Sequence, residues 1–241
     1  MTRRRFIANT WTDTTATLTG DQAAHLARVL RAEPGQIYDV VAGGFLHRAE
    51  IASASEDEVH FLLHEELESD TALALHLLLA VFKFDHMEWA IEKATELGVS
   101  SITPILARRT EKHLAQAAAK RADRWRRIAL EASKQSRRTT VPEIADPAKL
   151  ETALDREQSS TRILLSETEQ AVTLSAALAV STRSTGYESV ALAIGPEGGW
   201  TPEEMVLFTQ NNWTPVTLGP RILRAETAAI AAIAIASSHL L

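Results

Sequence analysis

The sequence predicts an α/β protein in two parts, a small N-terminal β-barrel followed by an α/β domain on a largely parallel sheet. Three observations lead there. Short apolar strands broken by glycine turns fill Arg5 to about Leu67, an acidic polar stretch spans Glu65 to Thr71, and beyond it apolar strands alternate with amphipathic helices. A chain of 241 residues can bury two cores of this kind, with the division at 1–70 and 71–241.

In the first part, Ile37 to Val41 and Phe45 to Ile51 flank Ala42-Gly43-Gly44, a hairpin signal because glycine accepts the positive φ such turns require. Val59 to Leu63 is a third strand. Asp21 reads as the N-cap of a short helix with Leu26, Val29 and Leu30 on one face. In the second part, the nearly unbroken apolar run Leu73 to Phe82 suits a strand covered on both faces. Asp85 with Glu88 reads as a capping box, with Met87, Ala90, Ile91, Ala94 and Leu97 as the buried stripe and Gly98 as the stop. Ile102 to Leu106 is the next strand, and Trp125, Ile128, Ala129 and Ala132 mark a second helix. Strands follow at Arg162 to Ser166, Val190 to Ile194 and Pro215 to Leu218, and an alanine-rich helix at Thr227 to Ser238. Its small side chains point to close packing in a core.

A hydrophobic fraction of 45% and a charged fraction of 23% are those of ordinary globular protein. With no cysteine, disulfides, thiol nucleophiles and thiolate metal sites are excluded. His60 and His64 have ligand spacing but no third ligand nearby, so no metal is expected. The basic start lacks a secretion signal's apolar stretch, and the apolar run Ala228 to Ala236 is far shorter than the roughly 20 residues a bilayer span needs. The expectation is a soluble cytoplasmic protein without a membrane partner. A net charge of −6 argues against nucleic acid, but eleven Lys or Arg against three acids between Arg108 and Arg138 give that segment +8. Phosphate attraction is a local field effect, so the segment weighs more than the total.

Two strand-to-helix loops have the composition of a ligand site. Gly195-Pro196-Glu197-Gly198-Gly199 follows one strand and leads into Thr201-Pro202-Glu203-Glu204, an N-cap threonine with proline and glutamate at the first and third helical positions. Leu218-Gly219-Pro220 follows another and leads through Arg224 and Glu226 into the last helix. Ligands bind beyond the carboxyl ends of parallel strands, where glycines let backbone groups approach closely; the competing reading of the first loop is a tight turn that needs positive φ. Neither loop has the spacing of a dinucleotide or P-loop phosphate cradle, so backbone and apolar contacts should hold the ligand.

Six segments, Lys83 to Glu88, Lys93 to Val99, Arg124 to Ala129, Gln135 to Arg138, Ile194 to Trp200 and Leu218 to Thr227, with His25 to Arg31 near the start, resemble the RsmE family of 16S ribosomal RNA uridine N3-methyltransferases. The resemblance spans nearly the whole chain. It implies a PUA-like RNA-binding barrel followed by a SPOUT domain with a C-terminal trefoil knot, a homodimer, S-adenosylmethionine as methyl donor and no metal. It implies cofactor contacts from Leu165, Ile194, Gly195, Pro196, Gly198, Gly199, Leu218, Gly219 and Leu223. The partner implied is 16S ribosomal RNA or the small subunit, met by Arg5, Arg28, Arg31, Arg109, Lys112, Arg137 and Arg138. Arg108-Arg109-Thr110 departs from the Arg-Ser pairing of that family, and Arg3-Arg4-Arg5-Phe6 matches it loosely.

Uridine N3 is protonated at neutral pH, so methylating it requires a base or a group that stabilises the imide anion. Arg224 is the candidate stabiliser, and Glu226 or Glu197 the candidate base. The competing role for Arg224 is an ion pair with either glutamate. Methylation of another RNA position, such as a ribose 2′-oxygen, and a non-catalytic RNA-binding assembly role both fit the same motifs.

Overall fold

The structure, a computed structural model, describes residues 5–68, 73–181 and 189–240. The chain divides into two compact units, residues 1–71 with 134–140, and residues 72–133 with 141–241. The expected boundary at residues 70 and 71 lies outside the described residues, as do Arg3 and Arg4.

The first unit holds strands β1 (Arg5–Ile7), β2 (Thr10–Trp11), β3 (Thr15–Thr19), β4 (Ile37–Ala42), β5 (Phe45–Ala54) and β6 (Glu58–Leu67), in the order β1-β4-β5-β6-β3-β2. Only β1 with β4 is parallel. The sheet curls into a half-barrel around Phe6, Leu18, Leu26, Val40, Ile51 and Phe61. Gly43 and Gly44, at φ of 62° and 90°, make the hairpin turn between β4 and β5.

Two local expectations fail here for physical reasons. Helix α1 (Asp21–Ala24) begins after Gly20 without a side-chain cap from Asp21 and passes into a π turn over His25–Val29. The wider turn keeps Leu26 buried but leaves Val29 66% exposed. The start of the acidic stretch Glu65 to Thr71, read as a linker between the two parts, instead completes β6, where Leu67 pairs with Leu46 and Glu65 accepts a hydrogen bond from Arg48 at 2.7 Å; residues 69–71 lie outside the described residues. Alternation lets such a strand bury one face while the other stays charged.

The second unit is built on seven strands, β7 (Leu75–Ala80), β8 (Ser101–Leu106), β9 (Glu143–Ile144), β10 (Ala148–Lys149), β11 (Thr161–Leu165), β12 (Val190–Ile194) and β13 (Thr214–Val216). They run β10-β8-β7-β12-β11-β13, with β9 also on β8, and every pairing is parallel. Among the described residues seven α-helices accompany them: α2 (Phe84–Glu96), α3 (Lys112–Ala117), α4 (Ala122–Gln135), α5 (Leu150–Arg156), α6 (Leu174–Ser181), α7 (Pro202–Gln210) and α8 (Ala225–Leu240). Alternate strand residues separate two cores. Leu75, Leu77, Leu79, Leu192 and Ile194 pack with α2, α4, α6 and α8, whereas Leu78, Leu164, Ala191 and Ala193 pack with α5 and α7. The sheet is therefore buried on both faces, as its apolar strands require.

The capping box expected at Asp85 and Glu88 does not form. The N-cap of α2 is Lys83, two residues before Asp85, and the Glu88 carboxylate accepts two hydrogen bonds from Arg124 at 2.7 and 2.8 Å. The box at Thr201 and Glu204 is complete. Among the described residues no helix is long and apolar enough to cross a membrane.

At the N-terminal edge of this sheet, His76 Nδ1 lies 3.2 and 3.3 Å from the two Glu157 carboxylate oxygens, and the Ser159 backbone N–H donates to Glu157 at 2.8 Å. Burial pushes the Glu157 carboxyl upward, but the His76 and Ser159 hydrogen bonds outweigh it and leave it at about 2. The bond to Glu157 raises His76 against the opposing effect of burial. Glu157 thus contributes stability fully above its unperturbed 4.5 and loses it as pH falls toward 2. His76 contributes fully below its unperturbed 6.5 and loses this as pH rises through its raised value. Thermal melts of Glu157→Gln against wild type should therefore differ most between pH 4.5 and 6.5 and converge as the pH approaches 2.

Candidate functional site

Strands β7, β12, β11 and β13 are adjacent and parallel, so their C-terminal ends open on one edge. The loops that follow them enclose a cavity of about 1030 Å³. Lys83 and His86 come from the β7 side, residues 166–170 from the loop after β11, residues 195–197, 199 and 200 from the loop after β12 and residues 217–225 from the loop after β13. A cavity of this size at the carboxyl ends of strands holds a nucleotide-sized molecule.

Of the residues expected to touch a cofactor, Leu165, Ile194, Gly195, Pro196, Gly199, Leu218, Gly219 and Leu223 line the cavity, together with Glu197 and Arg224. Gly198 and Glu226 do not. Gly198 faces away, its carbonyl accepting from Arg109 Nη1 at 2.7 Å. Glu226 is 3% exposed, with Oε1 2.9 Å from His86 Nδ1. Neither Arg224 nor Glu197 forms an ion pair among the described residues, so the pair considered for Arg224 is not made.

The glycines meet both readings of the first loop, the turn that needs positive φ as well as the close backbone approach, and in addition a Cβ on two of them would crowd neighbouring side chains. Gly199 sits at φ 70°, and a Cβ there would come 2.8 Å from Glu167 Oε1. A Cβ on Gly195 would lie 3.1 Å from Trp200 Nε1, whereas Gly219, at φ 115°, has nothing within 4 Å of that position. At Gly199 the left-handed backbone favours glycine, and at Gly195 a Cβ would oblige the Trp200 ring to shift slightly.

The loops are held from behind. Glu204 is 1% exposed, and its carboxylate accepts from the backbone N–H of Thr201 and of Arg108, each at 2.8 Å. This joins the start of α7 to the loop after β8. Glu169, on the cavity wall, accepts from the backbone N–H groups of Ala171, Gln170 and Val172 at 2.7, 2.9 and 3.1 Å. These bonds, Ala171 foremost, hold its carboxyl below the usual carboxylate range. Thr217 both accepts from the Gly219 N–H and donates to the Gly219 carbonyl at 3.1 Å, setting the β13 loop.

The cavity joins apolar side chains such as Leu165, Ile194, Leu218 and Leu223 to charged ones such as Lys83, Glu167, Glu197 and Arg224, a mixture that suits a nucleoside-like ligand carrying polar groups. Sequence reasoning missed Lys83, His86, Glu167, Glu169 and Trp200. The rule that ligands gather at strand ends pointed to the loops after β7 and β11 as well, but neither contains paired glycines.

The basic residues have varied surroundings. Arg28 is exposed and ion-paired with Glu56, and Arg5 donates to the carbonyl of Arg137. Arg137 is exposed at φ 61°, and burial lowers the pKa of Arg138 from its ordinary value. Arg31 and Lys112 are exposed and form no ion pair among the described residues, while Arg109 packs on Gly198. The +8 segment is partly neutralised from outside, since Arg121 and Arg124 pair with Glu88, and Arg126 with Asp146 as well as Asp123. His60 lies against Thr17 and Glu58, and His64 against Glu50; no metal-binding group of three or more His, Cys, Asp or Glu occurs among the described residues.

Comparison with known proteins agrees with this arrangement. A family model described as an RNA methyltransferase domain matches residues 69–237. Ribosomal RNA small subunit methyltransferase E of Bacillus subtilis strain 168 is 33% identical over 225 residues, covering 91% of this chain and 88% of the relative. The protein of that name from Synechocystis sp. is 34% identical over 225 residues, covering 92% and 72%. A crystal structure of the Neisseria gonorrhoeae ribosomal RNA small subunit methyltransferase E bound to S-adenosyl methionine superposes with a TM-score of 0.81 at 28% identity, over 98% of each chain.

The glycine geometry separates two effects. Gly199→Val should weaken S-adenosylmethionine binding at least tenfold in calorimetry, because the left-handed backbone and the Glu167 contact both oppose it. Gly219→Ala has only backbone strain to overcome, about 1 kcal/mol. Replacing Glu167 by Ala in a Gly199→Ala background should recover part of the lost affinity, and no recovery would assign the whole effect to the backbone.

Proposed function

The chain belongs to the ribosomal RNA small subunit methyltransferase E family, and from that premise we propose that it methylates N3 of a uridine in 16S ribosomal RNA using S-adenosylmethionine. The observation that bears most weight is Arg224, an exposed guanidinium on the cavity wall that forms no ion pair among the described residues and stands immediately before α8. A helix N-terminus disfavours a cation, so a purely structural arginine there is unexpected.

Leu165, Ile194, Leu218 and Leu223 with the backbone of Gly195, Gly199 and Gly219 are the groups that would hold the cofactor. When bound, it supplies an electrophilic methyl group. The chain's own residues must then align and activate the acceptor. N3 lies on the pairing edge of uracil, so the base has to enter unpaired. As N3 loses its proton, negative charge spreads to the uracil oxygens, and the fixed charge of Arg224 offsets it most in the transition state.

RNA attraction is assigned to exposed cations of both units, Arg31, Arg137 and Lys112, with Arg5, Arg28, Arg109 and Arg138 as neighbours that already have protein contacts. The family resemblance also supports a cytoplasmic homodimer, which light scattering at twice the chain mass would test.

Arg224→Ala should keep cofactor affinity within a few-fold while single-turnover methylation falls by about 100 to 1000-fold, the usual effect of losing one preorganised donor. Nucleoside mass spectrometry of the wild-type product identifies the methylated atom, and a 2′-O-methyl nucleoside would replace the N3 reading. Binding measured against salt should show a slope smaller by roughly 0.7 for each phosphate contact removed in Arg31→Ala and in Lys112→Ala. Unchanged slopes would take those residues off the RNA surface.

A further inference from the structure

The geometry points to His86 as the catalytic base that takes the uracil N3 proton, held for that task by the buried carboxylate of Glu226. This inference rests on the proposed uridine methylation. Glu226 itself cannot meet a base in the cavity, since it does not line the wall and its Oε1 lies 2.9 Å from His86 Nδ1. His86 does line the wall, on the same cavity as Arg224. A carboxylate accepts only, so Nδ1 carries hydrogen in either protonation state of the ring, and Nε2 is the atom that exchanges a proton.

The charged groups near the ring come from several elements. Asp85 Oδ2 is 3.7 Å from Nε2, beyond hydrogen-bond reach, and its side chain is 79% exposed, so it is a weak, solvated partner. Lys83 and Arg224 share the cavity, as do Glu167, Glu169 and Glu197. Of the three carboxylates, Glu169 is tied to backbone N–H groups, which makes it the poorest base. Imidazole is the side chain most often found as a general base.

Glu226 has a second feature that suits the role. Its Oε2 is buried without a hydrogen-bond partner among the described residues. An under-satisfied buried carboxylate favours a neighbouring cation, so it stabilises the imidazolium as the proton arrives. Packing fixes the pair, because α2 and α8 share one core and Ser237 of α8 donates to the Leu97 carbonyl at 2.8 Å. The step balances as an ordinary N-methylation. The N3–H bond breaks and its proton moves to Nε2, the N3 electron pair forms the new N–C bond, and the C–S electron pair leaves with the donor sulfur.

The full-length wild type, His86→Gln and Glu226→Gln would be compared on unmodified 16S ribosomal RNA transcript or small subunits. His86→Gln should bind S-adenosylmethionine within threefold of wild type in calorimetry, lose at least 100-fold in single-turnover rate and lose the acid limb of the pH–rate profile. Added imidazole should restore part of the rate in His86→Gly. Nitrogen-15 spectra of wild type should show the neutral ring protonated at Nδ1, with that preference weakened in Glu226→Gln. Retention of rate and acid limb in His86→Gln, or an Nε2-protonated neutral ring in wild type, would overturn the assignment. The spectrum decides even if a variant fails to fold. A wild type that makes no N3-methyluridine would instead refute the functional reading beneath it.

Discussion

Four neighbouring strands that run the same way must release their chains at the same edge of the sheet, and the candidate site depends on that constraint. The parallel order β7-β12-β11-β13 brings loops separated by up to 140 residues around one cavity. Parallel pairing in turn demands apolar strands and helices on both faces, which is why Leu75, Leu77 and Leu79 face one core and Leu78 the other. The site is a consequence of the core, positioned before any ligand contact is considered.

What the sequence revealed were features written in neighbouring residues. The strand Val190 to Ile194, the glycine loop after it and the Thr201 to Glu204 capping box are contiguous, and each follows from local stereochemistry. Strands β9 and β10 have two residues each and leave no periodicity to detect. Partnerships across long separations were equally invisible. Glu88 was read as a cap because Asp85 stands three residues before it, but Arg124, thirty-six residues on, takes its carboxylate. Glu226 was one of two candidate bases, with Glu197, and its contact with His86, 140 residues away in the sequence, left no trace in the local pattern. In both cases the partner of a charged side chain on a helix is set by tertiary packing.

The same reasoning refines the charge argument. A run of +8 describes the chain, whereas the field at a surface depends on which cations remain unpaired. Arg121, Arg124 and Arg126 spend their charge on Glu88, Asp123 and Asp146, and their helix is thereby anchored. Arg31, Lys112 and Arg224 form no ion pair among the described residues. Cations that look alike in sequence thus divide into those that hold the fold together and those that form no ion pair among the described residues.

The glycine loops support a last step. If ligand contact alone required glycine, the loop could adopt its shape only when filled, and binding would have to order it. Here a φ of 70° favours glycine at Gly199, a Cβ on Gly195 would press on the Trp200 ring, and at the loop's far end the buried Glu204 carboxylate ties Thr201 to Arg108. Contacts within the protein therefore contribute to the shape of this wall of the cavity, and glycine at 199 answers to the backbone as well as to whatever the cavity holds.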